Sequence, residues 1–292
     1  MLPDKINKYN STILEKLSLY LNLKADFIKG NIIDELVNEC NLKKEEAFSI
    51  LLAEICGFDI ENNPEDMDLF EKYFPHMIYH LNEEEYKNNL YYKNIKIPDI
   101  KIGRWKFQKE KYNPYEAFVF NDFKKQDDGR IIPQIGFFDC EFTYPAVLEN
   151  GREWMLITPN EIETMKSSID EANGKVLTYG LGLGYYAYMV SEKERVSSVT
   201  IIERDEDVIN LFEKYILPQF DYMDKVKIIH DDAFSYAEKH MKDGNYDFVF
   251  TDLWHDPSDG IDMYLKMKGY EKMNPKSRYM YWIEKTILCY LD

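Results

Sequence analysis

The chain has 292 residues, 45% hydrophobic and 30% charged, enough to bury a full core across one to three domains. Its formal net charge of −17 argues against a broad nucleic-acid or anionic-membrane footprint, because such footprints rest on Lys and Arg. It leaves room for a cationic or small neutral substrate.

Four scattered cysteines (Cys40, Cys56, Cys140 and Cys289) form no CxxC pair and read as free thiols in a reducing compartment. The N-terminus is polar, and no run of about 18 apolar residues exists, so no membrane span and a cytoplasmic location are expected.

Residues 1–95 read as a helical domain. Ile6, Ile13, Leu14, Leu17, Leu19 and Leu21 suggest one amphipathic helix of imperfect phase, and Ile32, Leu36 and Val37 a second. Ala47, Ile50, Leu51, Ala53, Glu54 and Ile55 fit a third that ends at Cys56-Gly57, and Met67, Leu69, Phe70 and Phe74 a fourth that stops near Pro75. The second and third have the outline of a helix-turn-helix. Their many acids and few basic residues favour an ordinary αα-hairpin. His76 and His80 stand four apart, where a shared helix face would offer two metal ligands, but no acid completes a pattern and no metal is expected.

From 96 to 157 the period shortens. Ile100–Phe107, Ala117–Phe123 and Ile131–Phe142 are rich in β-branched and aromatic residues, and Asp127-Asp128-Gly129 and Asn150-Gly151 read as hairpin turns. One small antiparallel segment is expected here. Thr158-Pro159-Asn160-Glu161 then has the spacing of a capping box with Pro at the first helical position, and Gly174 ends that helix.

Residues 158–292 alternate helix and strand, the pattern of a parallel α/β sheet. Their centre is Lys175–Glu203. Val176–Tyr179 is a short buried strand, Gly180, Gly182 and Gly184 form a tight loop, Tyr185–Val190 opens a helix, and Val199–Ile202 is a second strand ending in Glu203. An acid about 20 residues past a glycine loop stands where a ribose hydroxyl would be gripped. Further strands at Lys227–Ile229, Tyr246–Thr251 and Arg278–Ile283 put Asp231, Asp232 and Asp252 at carboxyl ends, where ligands of such sheets bind. No GK[ST] follows the glycines, which disfavours a P-loop.

Four segments in order, VLTYGLGLG, VTIIERD, HDDAFSYAEK and YDFVFTDLWHDP, resemble the class I S-adenosyl-L-methionine (SAM)-dependent methyltransferases, and within them the spermidine-synthase-like branch. The resemblance implies a Rossmann-like methyltransferase sheet, shortened at its C-terminal end, preceded by the β segment and the helical domain. It implies that Tyr179, Gly180, Gly182 and Gly184 lie under the methionine and ribose of SAM and that Glu203, with Arg204 beside it, accepts the ribose hydroxyls. Asp231, Asp232 and Ala233 would contact the adenine, and Asp252 would sit beside the sulfonium.

Methyl transfer is an in-line displacement that needs orientation and a proton acceptor. Asp252 is the candidate base and His255 the second, and Trp254 is a candidate wall. Aminopropyltransferases of this branch carry an acid inside the loop where this chain has Leu183, and a D-x-x-D-P motif one residue tighter than Asp252…Asp256-Pro257. The leading expectation is therefore a SAM-dependent methyltransferase acting on a small molecule. The alternatives are an aminopropyltransferase-like enzyme and a non-catalytic SAM-fold binding module. A shortened sheet also favours a homodimer.

Overall fold

The computed structural model describes residues 3–23 and 27–291. They divide into two compact units, residues 1–84 with 111–143, and residues 85–110 with 144–292.

The first unit opens with α1 (Pro3–Asn22), α2 (Gly30–Cys40), α3 (Lys44–Ile55) and α4 (Pro64–Tyr73). Ile13 and Leu17 of α1, Ile33 of α2 and Phe48 and Leu52 of α3 lie in one buried cluster. α2 and α3 form the expected αα-hairpin, turned by Asn41 in the left-handed region (φ 54°). A strand that periodicity misses follows, β1 (Ile78–His80). It lies parallel to β5 (Ile131–Phe137), which pairs antiparallel with β4 (Phe118–Lys125). His76 is in a 3-10 turn and His80 in β1, so they share no helix face. His80 Nε2 instead stands 3.3 Å from the Asp139 carboxylate and stacks on Phe137.

The second unit contains α6 (Leu90–Asn94), reached through α5 (Glu83–Lys87), and the strands β2 (Ile100–Ile102), β3 (Trp105–Tyr112), β6 (Phe142–Glu149) and β7 (Arg152–Leu156), which form a sheet in the order β2-β3-β6-β7. The segment 96–157 thus feeds two sheets rather than one, with β4 and β5 belonging to the other unit. Asn150 and Gly151 both take positive φ (51° and 84°), as a two-residue hairpin turn requires.

The rest alternates as expected: α7 (Pro159–Glu171), β8 (Gly174–Tyr179), α8 (Tyr185–Ser191), β9 (Val196–Glu203), α9 (Glu206–Tyr215), β10 (Val226–His230), α10 (Ala233–His240), β11 (Phe248–Thr251), α11 (Pro257–Lys268), β12 (Arg278–Tyr281) and α12 (Glu284–Leu291). Five parallel strands run in the order β10-β9-β8-β11-β12. Val176, Leu177, Val199, Ile201, Phe248, Val249 and Phe250 are buried, the near-continuous apolar strands of a parallel sheet covered on both faces. β9 and β10 build outward on one side of β8, and β11 and β12 on the other. The switch point therefore falls at β8 and β11, where a sheet of this kind opens a crevice at its carboxyl edge.

One expected detail is not realised. α7 begins with Pro159 after Thr158, but the Thr158 side chain makes no capping bond, so the capping box is not formed. Among the described residues no helix is long and apolar enough to cross a membrane.

Candidate active site

The cleft lies wholly within the second unit, at the carboxyl edge of the parallel sheet. Three backbone bonds extend the ladders past the strand ends: Asp252 N–H to the Tyr179 carbonyl (2.9 Å), Gly180 N–H to Ile202 (3.0 Å) and Asp231 N–H to Glu203 (3.0 Å). They fix the loop, the β9 end and the β11 end against one another. Gly180 turns the chain at φ 97°, and a Cβ there would run into the Asp252 carbonyl oxygen. Gly184 is pressed against the Phe212 ring, and Gly182 lies under Met155, whose Sδ would be 2.8 Å from an added Cβ.

Glu203 is buried at the β9 end. Its Oε2 accepts the Leu181 N–H (3.2 Å) and its Oε1 the Asp205 N–H (2.8 Å). Burial raises its carboxyl above the ordinary range and these backbone donors pull it back. Each oxygen keeps a lone pair for a hydroxyl.

Asp232 caps α10 through the Ser235 N–H (2.9 Å) and shares the cleft wall with Ala233, and Asp231 accepts the Asp232 N–H (2.8 Å). Asp205 caps α9 and also receives the Trp105 indole N–H and Arg104, which pairs with Glu149 as well.

Asp252 lines the cleft at the β11 end and is half-buried. Burial pushes its carboxyl up to about 7. Asp256, not Asp252, caps α11. His255 is exposed, with Nδ1 3.0 Å from Asp259 Oδ2 and its ring edge-on to Trp154. That pair anchors the histidine on the rim.

The cleft thus gathers Gly180, Gly182, Glu203, Arg204, Asp232, Ala233, Asp252 and His255. Tyr179, Gly184 and Asp231 do not line it. The sequence reading does not anticipate the opposite wall, made by Arg104, Trp105, Glu149, Trp154 and Met155 from the antiparallel sheet. No local pattern marks those residues, since only the fold brings β3, β6 and β7 to the glycine loop. Glu161, hidden by its apparent capping role, is the other unanticipated acid. Burial first and the Asp252 charge second hold its carboxyl well above the usual range.

The family model "Spermine/spermidine synthase domain" matches residues 157–274, the stretch that holds the glycine loop and every strand-end acid named above. The match supports a spermidine-synthase-like domain of the class I methyltransferase-like fold. Among solved structures, the chain is similar to a precorrin 8w decarboxylase from Methanobacterium thermoautotrophicum, with 20% identity over 37% of this chain and 53% of that one at a TM-score of 0.28. It is also similar to a conserved hypothetical protein of Streptococcus pyogenes, with 16% identity over 37% and 65% at a TM-score of 0.29. In both cases the chain covers less than two thirds of the other protein. No curated protein sequence matches.

Proposed function

We propose that the chain is a transferase of the polyamine-synthase kind, which moves an aminopropyl group from decarboxylated SAM to an amine. The observation that carries this reading is the convergence of the glycine loop, Glu203 and Asp252 at the β8–β11 switch point, in the stretch similar to spermine/spermidine synthase domains.

The donor supplies a carbon made electrophilic by its sulfonium. The chain's own groups do the rest. Glu203 accepts the ribose hydroxyls, and Asp232 with the Ala233 N–H brackets the base. Asp252 receives the proton that the amine loses as its nitrogen bonds to that carbon, while the C–S bond breaks and its electron pair stays on sulfur. A carboxyl poised near neutrality suits that task.

Charge supports the decarboxylated donor. The arginines lining the cleft are Arg104, already paired with Glu149 and Asp205, and Arg204. The lining acids Glu149, Glu203, Asp205, Asp232 and Asp252 outnumber them, so a donor tail without a carboxylate fits better than an amino-acid tail.

A second reading, methyl transfer from SAM to a small acceptor, is favoured by Leu183, which stands where the aminopropyltransferases carry a loop acid. The leaving nucleoside separates the two. The protein is incubated with putrescine and either donor, and the products are resolved by chromatography. Methylthioadenosine is expected. S-adenosylhomocysteine would overturn the reading in favour of methylation, and neither product would leave a binding module.

A further inference from the structure

α7 runs into β8 through two residues, Ala172 and Asn173. Thirteen helical residues and six strand residues both span about 20 Å, so a helix folded back along its strand ends its first turn level with that strand's carboxyl end.

Hydrogen bonds fix it there. Trp282 donates its backbone N–H to the Thr251 carbonyl (2.9 Å) and its indole N–H to Thr164 Oγ1 (2.9 Å). Thr164 lies three residues beyond Glu161 on the same helix face, and Asp252 directly follows Thr251. This path brings the first turn of α7 to the β11 end, near enough for the Asp252 charge to add to burial in raising the Glu161 carboxyl.

Glu161 is the third residue of its helix, where a capping box would spend it, yet the box is not formed. Among the described residues no lysine or arginine is bonded to either acid. Trp254, two residues past Asp252 and buried in the same wall, leaves its indole N–H without a partner. Both carboxyls are half-buried; two such acids without a cation raise each other's cost, and a ligand carrying ammonium donors relieves it.

We infer that Glu161 and Asp252 together anchor a cationic diamine or polyamine acceptor, with Glu161 supplying from α7 the acid that the glycine loop lacks at Leu183. The inference rests on the transferase reading above for the identity of the site. Asp252 faces the nitrogen that reacts, and Glu161 holds a protonated nitrogen of the acceptor. Neutral alcohols and phenols would gain nothing from the second acid.

The test is calorimetric titration of putrescine into the full chain saturated with methylthioadenosine. Glu161→Gln, which keeps the shape and removes the charge, should weaken putrescine binding by about 10–100-fold, with methylthioadenosine affinity unchanged. Glu161→Asp, which keeps the charge on a shorter arm, should fall between. Glu163→Gln on the same helix should match the wild type.

Equal putrescine affinity in wild type and Glu161→Gln would overturn the inference while the transferase reading stands. So would a wild type that binds the nucleoside but no diamine. A wild type that binds putrescine through Glu161 but no adenosine nucleoside would uphold the anchor and sink the donor reading. Unfolding curves of each variant verify that a loss is local.

Discussion

Asp252→Asn is expected to cut turnover by about 10²–10⁴-fold, the usual worth of a positioned general base, and at the same time to make the protein more stable at pH 8. The two effects have one cause. Burial holds the Asp252 carboxyl at about 7, against about 3.9 in an unfolded chain.

The folded state therefore binds more protons than the unfolded state between about pH 4 and pH 7, and stability falls as pH rises through that window. Above it the full cost of the buried charge is present, and below pH 4 it vanishes. The asparagine never carries that charge. A shift of this size bounds the gain at roughly 4 kcal/mol. Solvent in the open cleft relaxes much of that cost, so about 1–2 kcal/mol is expected at pH 8, a rise of a few degrees in Tm. Thermal unfolding of both proteins at pH 4.5 and pH 8, beside nucleoside-release assays, checks both halves. Equal Tm differences at the two pH values would remove Asp252 as the source.

That coupling of cost and function explains which parts of the molecule could be read in advance. Lys175–Glu203 was legible because its signals are local: strand, glycine loop, helix and strand follow in one stretch, and Gly180, Gly182 and Gly184 each take positive φ. The same holds for Asp127–Gly129 and Asn150-Gly151, whose turn chemistry names the hairpins. Pairing partners are not local. β4 and β5 resemble β3 and β6 in composition, and only long-range packing assigns them to different sheets. The three residues of β1, Ile78–His80, are too few to show a period, and they exist as a strand because β5 lies alongside.

Glu161 was concealed differently. T-P-N-E has the spacing of a helix start, and that local role accounts for the acid on sequence alone, whereas the box is not formed. A local rule that the sequence satisfies and the structure declines marks a residue released for other work.

Gly180→Ala should be the most damaging single methyl addition in the sheet domain. Two penalties coincide there. The residue sits at φ 97°, where an L side chain costs about 1–2 kcal/mol. The new Cβ would also meet the Asp252 carbonyl oxygen, a backbone atom held by the β11 ladder and by the Asp252 N–H bond to Tyr179. A flexible side chain could swing away, but this oxygen moves only if the end of β11 moves. The expected loss is above about 3 kcal/mol, in the class of backbone strain plus overpacking.

Gly151→Ala separates the two penalties. Gly151 has a similar φ of 84°, but nothing lies within 4 Å of its added Cβ, so only the conformational cost of about 1–2 kcal/mol applies. If denaturant unfolding gives the two variants equal losses, the clash is absent and the β8–β11 junction yields freely. If Gly180→Ala is the worse by 2 kcal/mol or more, the glycine is there for the close approach of two strand ends. In that case any Gly180→Ala protein that still folds should have lost amine transfer too, because the displaced carbonyl belongs to Asp252, whose carboxyl cannot hold its place when its own backbone is pushed aside.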